Sequence, residues 1–379
     1  MRRIICFFLI AAALTVPCSA AGPPETDGFS LGCTAAVLME RETGTLLYAK
    51  NEHERLSPAS VTKVMTLLLV AEAVDSGTVN PDDVVTASRR AASMGGSQIW
   101  LKEGEQMTVT EMTKCVAVVS ANDCAVALGE HLCGSEEAFT ARMNARAAEL
   151  GMEDTHFTNC TGLFEDPEHY TSAHDIALMS RELLGHDFIR PFTAIWTDTI
   201  RNGSFGLTNT NKLVRFYPGC TGLKTGFTSK AMFCMSASAC RDDVEYIAVI
   251  LHGETSQRRF DDARTLLDYA FANYTLVRPA LDEAVFVPVD LGAEDRVEVT
   301  LGGSVAAVVR KSAVSALSSE LTLPESVAAP IDPGQELGKL TLRAGDEIVT
   351  EVPLLSSVGV ERIRLWPVYK MLVRTLCGQ

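Results

Sequence analysis

The stretch that most constrains this chain is Ser57-Pro58-Ala59-Ser60-Val61-Thr62-Lys63, followed at once by the apolar run from Val64 to Val70. Ser57 reads as a helix N-cap and Pro58 as the first helical residue, where a missing N–H costs nothing. Ser60 then falls in the first turn, with Lys63 three residues on and on the same face. Two consequences are chemical. The Ser60 N–H is among the unpaired donors of a helix start, so it can face an anion forming beside its own hydroxyl. Lys63, held against an apolar helix, has its ammonium disfavoured by desolvation and can act as a base. Serine and lysine at this spacing make a candidate activated nucleophile, although S-x-x-K alone recurs by chance.

A chain of 379 residues can bury a large core and points to two domains. Its formal charge of −15 argues against a general nucleic-acid binder, which needs a basic surface. Residues 1–20 read as a cleaved secretory signal: Arg2 and Arg3, an apolar core from Ile4 to Val16, then Cys18-Ser19-Ala20. The apolar core is too short to span a bilayer, and Pro17 beside Cys18 argues against a lipid-modified cysteine. The mature chain is therefore expected outside the cytoplasm. Of the 11 cysteines, Cys6 and Cys18 leave with the signal, so nine remain. That number is odd, and no C-x-x-C pair marks a zinc or redox motif. Most are expected to be buried small apolar side chains, with one or two disulfides left open. The histidines, His169 and His174 included, read as surface or capping residues, and no metal site is expected.

In chain order, Thr34–Glu40 and Leu46–Ala49 read as strands around a Thr43-Gly44 turn that deliver the chain to Ser57. A polar excursion, Ser76–Lys102, leads to a capped helix beginning near Thr110-Glu111 and broken at Ser120-Ala121-Asn122. Helices follow over Glu136–Leu150 and Ser172–Leu184, with a loop at Asn159–Glu168 between them. Strands return at Lys224, Met232–Ala239 and Tyr246–Leu251, and Gln257–Phe271 closes with a helix. Strands at both ends with helices between them predict one mixed α/β domain. From Leu276 short alternating strands between Gly, Asp and Pro turns predict a small all-β domain.

Two later stretches corroborate Ser60. Ser120-Ala121-Asn122 interrupts an apolar helix with two polar side chains that point the same way if the segment is extended. Lys224-Thr225-Gly226 starts an apolar strand, where glycine lets a ligand backbone approach. S-x-x-K, S-x-N and K-T-G in this order, about 60 and 100 residues apart, are far more specific than any one of them. On these motifs the chain resembles the serine penicillin-binding protein superfamily, and most closely the low-molecular-mass D-alanyl-D-alanine carboxypeptidases. Gly95-Gly96-Ser97, Leu101-Lys102-Glu103-Gly104, Thr208-Asn209-Thr210-Asn211-Lys212-Leu213 and Gly222-Leu223-Lys224-Thr225-Gly226-Phe227-Thr228 carry the likeness, and Gly334–Gly338 and Gly345–Glu347 extend it. Ala121 and Thr221 depart from it, since many relatives have Gly and Asp there.

The resemblance implies a β-lactamase/transpeptidase-like catalytic domain over 24–275 and an all-β sandwich over 276–360. It implies that Ser60 attacks the penultimate D-alanine carbonyl of a peptidoglycan stem peptide, forming an acyl-enzyme. Lys63 would be the base, and Ser120 would pass the proton to the leaving D-alanine. Asn122 would hold the substrate amide and help orient Lys63. Lys224 and Thr225, next to Gly226, would bind the terminal carboxylate, and the N–H groups of Ser60 and Phe227 would form the oxyanion hole. No cofactor or metal is required, and β-lactams are expected to be covalent inhibitors. A serine β-lactamase and a catalytically silent penicillin-binding sensor are the competing readings. The first generally lacks the β-domain and uses a Glu-x-x-Leu-Asn element that does not occur here, and the second does not need the full set of reacting side chains.

The tail, 361–379, is expected to form an amphipathic helix. Leu365, Trp366, Tyr369, Leu372, Val373 and Leu376 share one side, while Arg364, Lys370 and Arg374 lie away from it. Such a helix fits peripheral contact with the outer face of the cytoplasmic membrane, or packing on the β-domain.

Overall fold

The computed structural model describes residue 28 and residues 30–164, 166–281, 283–303, 305–364 and 369. The expected signal, 1–20, and the tail beyond Arg364, save Tyr369, lie outside the described residues. The centre is a five-stranded sheet of β1 (Ala35–Glu40), β2 (Leu46–Lys50), β3 (Cys220–Thr228), β4 (Met232–Arg241) and β5 (Val244–Gly253). Its order is β2-β1-β5-β4-β3, and every neighbouring pair is antiparallel. All six residues of β1 are buried because both faces of the sheet are covered. Ala35, Val37 and Met39 enter one core, while Ala36 and Leu38 enter the other, as a period of two demands.

Helices α1 (Lys63–Asp75), α2 (Val109–Val119), α3 (Asn122–Cys133), α4 (Glu136–Glu149) and α5 (Ala173–Leu183) belong to the first core. The second core lies under α6 (Ser256–Asn273), through Phe260, Ala263, Leu266 and Leu267. Helix α1 is buried without a break from Lys63 to Ala71, which is why its sequence is apolar all round. Each fully buried Leu, Val or Met there contributes about 1.5–3 kcal/mol. Helix α2 opens on a reciprocal capping box between Thr108 and Glu111, one residue ahead of the expected start. Two short strand pairs, Val84–Thr86 with Gln106–Thr108 and Thr197–Ile200 with Phe205–Thr208, are absent from the expected strands. Strands of three or four residues are too short to show an alternation.

The C-terminal region is all-β. Its six-stranded sheet encloses a core of Val287, Val297, Val299, Leu340, Val352 and Leu354. Tyr274–Val277 pairs with Ala307–Arg310, and Ala306 and Val308 pack on the core beneath α6. A strand pair at position 276 thus ties the β-region to the sheet that carries β3.

Candidate active site

The serine turn is tighter than expected. Ala59–Thr62 form a 3-10 helix preceded by Pro58, with no side-chain cap, and α1 begins only at Lys63. Ser57 is therefore not an N-cap. Its carbonyl accepts from Cys234 Sγ (3.7 Å) and His252 Nε2 (3.3 Å), which ties the incoming chain to β4 and β5 rather than to the helix. The spacing of three residues still places Lys63 beside Ser60: Lys63 Nζ donates to Ser60 Oγ (2.9 Å) and to the Thr161 carbonyl (2.8 Å). The Lys63 side chain is fully buried. Desolvation is the largest influence on it and lowers its pKa from 10.5 to about 7, so a neutral amine is accessible at ordinary pH.

The loop that orients Lys63 carries no motif from the sequence reading. Asn159 Oδ1 accepts from the N–H groups of Thr161 and Gly162 and from the Thr161 hydroxyl, which turns the Thr161 carbonyl toward Lys63. Gly162, at φ +68°, lies so close to the serine turn that a Cβ there would stand 1.9 Å from the Ala59 carbonyl oxygen. His169 corrects the expectation of a surface or capping histidine, for it is 2% exposed. Its Nδ1 accepts from the Thr158 N–H (3.1 Å), so Nε2 carries the proton and donates to Thr62 Oγ1 (2.7 Å). Thr62 in turn donates to the Ala59 carbonyl. Burial lowers the His169 pKa to about 4 and keeps the ring neutral.

Ser120 and Asn122 sit at a corner and not on an extended segment. Ser120 ends α2 in the left-handed region, at φ +65°, and Asn122 is the first residue of α3. Both are buried, and Ser120 Oγ and Asn122 Oδ1 make no hydrogen bond among the described residues. Asn122 Nδ2 donates to the Gly95 carbonyl (2.8 Å), and no bond joins Asn122 to Lys63; the Thr161 carbonyl anchors the lysine instead. Next to Asn122, the buried Asp123 carboxylate accepts from the N–H groups of Ile99, Leu101 and Cys124. It fixes the 97–101 segment over the corner.

The third wall is β3, the edge strand of the sheet, which packs against the serine turn. Gly226 is required there: a Cβ would stand 2.7 Å from the Pro58 carbonyl oxygen and 3.0 Å from the Ser60 nitrogen. Lys224 is buried, its Nζ donating to the Thr225 carbonyl, and burial first, then Lys63 and Arg259, push its pKa well down. An arriving carboxylate would supply the opposite charge that restores the ammonium. Thr225 Oγ1 donates to Thr210 Oγ1 (2.7 Å). The Phe227 ring is exposed and stacks on Phe233. Arg259 was not singled out from the sequence. From α6 it donates to the carbonyls of Gly226 (3.0 Å) and Cys234 (3.2 Å), adding a buried cation behind the strand. Thr221 donates to Glu245 Oε1 (2.6 Å), so a carboxylate on β5 reaches the base of β3. Arg190 holds the other Glu245 oxygen at 3.0 Å.

The arrangement can present a hydroxyl to a base, offer backbone donors to an oxyanion, and hold a carboxylate, all within one cleft. Metal-type groups gather elsewhere, at Glu72, Glu182 and His186, where Arg146 already pairs both glutamates. The eight described cysteines are unpaired, five of them buried.

The D-alanyl-D-alanine carboxypeptidase family pattern matches residues 21–255, and the penicillin-binding protein 5 C-terminal domain pattern matches 276–362. The chain is 39% identical to the D-alanyl-D-alanine carboxypeptidase DacF of Bacillus subtilis over 372 residues, covering 96% of this chain and 95% of that one. It is 30% identical to DacC of Escherichia coli, a D-alanyl-D-alanine carboxypeptidase, over 92% of this chain and 89% of the other. The crystal structure of penicillin binding protein 5 from Haemophilus influenzae superposes with a TM-score of 0.80 at 26% identity, over 89% of this chain and all of that one. The chain belongs to the D-alanyl-D-alanine carboxypeptidase family, serine-type hydrolases of the penicillin-binding protein group.

Proposed function

We propose that Ser60 is the nucleophile with which this carboxypeptidase removes the terminal D-alanine of peptidoglycan stem pentapeptides. Neutral Lys63 accepts the Ser60 proton as Oγ bonds to the penultimate D-alanine carbonyl, and the N–H groups of Ser60 and Phe227 receive the oxyanion. The Ser120 hydroxyl relays a proton to the D-alanine nitrogen as the C–N bond breaks. Asn122 holds the substrate amide, and Lys224 with Thr225 holds the departing carboxylate. Water then attacks the ester, its proton passes back through the amine, and Ser60 is released. A β-lactam enters by the same first step and stays as a slowly hydrolysed ester. One observation supports this reading above the others: a fully buried Lys63 amine 2.9 Å from Ser60 Oγ, held by the Thr161 carbonyl.

The division at 24–275 and 276–360 then places every reacting group, from Ser60 to Phe227, in the first domain. A cleaved signal over 1–20 would place the enzyme outside the cytoplasm, and a tail helix over 361–379 would hold it to the membrane surface. Arg2, Arg3 and the Ile4–Val16 core support the first, and the Leu365–Leu376 apolar stripe supports the second. No helix among the described residues is long and apolar enough to cross a membrane. Turnover of diacetyl-Lys-D-Ala-D-Ala tests the reading: the protein releases D-alanine and Ser60→Ala does not. Release by Ser60→Ala at a rate comparable to the parent would overturn the assignment.

A further inference from the structure

Trp100 is 64% exposed, and its backbone sits at φ +56°, a region that side chains other than glycine enter only at a cost. Three contacts hold it there. The N–H groups on either side, Ile99 and Leu101, both donate to Asp123 Oδ2 at 3.0 Å, and Arg201 Nη1 donates to the Ile99 carbonyl at 2.9 Å. The indole meets the Phe205 ring edge-on, with centroids 5.8 Å apart and planes at 63°, and Arg201 lies over the Phe205 ring. The exposed indole and the half-buried Phe205 ring make an aromatic corner at the surface.

Both arms of that corner lead into the cleft. Three residues before Trp100, the Ser97 carbonyl accepts the Asn122 N–H at 2.7 Å. From Phe205 the short strand ends at Thr208, two residues before Thr210, which accepts from Thr225 and whose N–H bonds the Val118 carbonyl. An apolar surface fixed at such backbone cost, on segments that brace Asn122 and Thr225, fits a ligand that continues beyond the cleft. The proposed substrate supplies one. Four residues separate its scissile bond from the sugar, a span of at most about 14 Å when extended. A pyranose ring offers a C–H face and a hydroxyl rim, which an indole face with nearby exposed backbone at Gly95-Gly96-Ser97 can match.

We infer that the Trp100–Phe205 corner is a binding site for the amino-sugar of the glycan strand, so that the enzyme prefers stem peptides still attached to glycan. The inference rests on the proposed substrate. Binding from this remote contact steadies the peptide at Ser60 and selects polymer over free peptide.

The test compares affinities of a disaccharide-linked tetrapeptide and the same tetrapeptide without sugar, by calorimetry, for the full chain, Trp100→Ala, Trp100→Tyr and Phe205→Ala. The parent should favour the sugar-linked ligand by about tenfold, the worth of one well-placed aromatic contact. Trp100→Ala should bring that ratio close to one, Phe205→Ala should lower it, and Trp100→Tyr should keep most of it. A parent ratio near one, or a ratio unchanged in Trp100→Ala, overturns the inference. Because the readout is a ratio of affinities, it stands apart from Ser60 chemistry, whose failure the D-alanine release assay reports separately.

Discussion

Replacing Lys63 by Arg isolates the feature on which the chemistry depends. At its ordinary pKa of 10.5 a lysine is neutral in about one molecule in three thousand at pH 7, whereas at about 7 half are neutral. Burial therefore raises the population of free base by about a thousandfold. Arginine keeps the charge but cannot give up its proton, so the base is lost. General-base catalysis is worth about 10²–10⁴-fold, and acylation should fall by that factor. The assay is the second-order rate of labelling by a fluorescent penicillin between pH 5.5 and 9. In the parent the rate should rise with pH and reach half its plateau near pH 7, since the deprotonated amine is the active form. In Lys63→Arg it should be low and flat. Acylation by Lys63→Arg within tenfold of the parent, or a parent profile that rises only above pH 9, would refute the reasoning. The same shift has a stability sign. Between about pH 7 and 10.5 the unfolded chain binds more protons at this site, so stability rises with pH across that window, by up to about 5 kcal/mol.

Other consequences are smaller or more local. Gly162→Ala should abolish acylation while leaving the bulk of the fold, because its Cβ would collide with the Ala59 carbonyl and displace the serine turn; normal labelling with normal circular dichroism would count against it. Lys224→Gln should slow D-Ala-D-Ala turnover more than hydrolysis of a thioester lacking the terminal carboxylate, and equal losses would move Lys224 into the bond-breaking step. His169, lowered from 6.5 to about 4, binds fewer protons folded than unfolded in that interval. Stability is therefore lost as pH falls from 6.5 toward 4, by about 3 kcal/mol. Comparing Tm at pH 7 and pH 4.5 should show a smaller acid-induced drop in His169→Gln than in the parent, and an equal drop would contradict the assignment.

Much of the fold was legible because its signals are local and repeated. The apolar run after Lys63 announced a buried helix, and Tyr246–Leu251 was legible as a strand. The three motifs were legible because each carries its chemistry in adjacent residues. What escaped depends on contacts across the chain. Asn159 and Thr161 act through a loop whose carbonyl meets Lys63 nearly a hundred residues away, and no local pattern states that partner. Arg259 lies on an amphipathic helix like any other surface-helix cation until α6 is packed behind β3. Glu245 reaches Thr221 from another strand, a pairing that only the folded sheet shows. Ser57 misled because Ser-Pro before an apolar run has the form of a capped helix start, while its carbonyl had been claimed by β4 and β5.

The most direct test of the account is the site of covalent attachment. The protein is labelled with penicillin, digested, and the peptides are mapped by tandem mass spectrometry. The adduct should sit on Ser60 in the peptide containing Pro58-Ala59-Ser60-Val61-Thr62-Lys63, and Ser60→Ala should take up none and release no D-alanine from diacetyl-Lys-D-Ala-D-Ala. An adduct on any other residue, with Ser60→Ala still labelled, would contradict it.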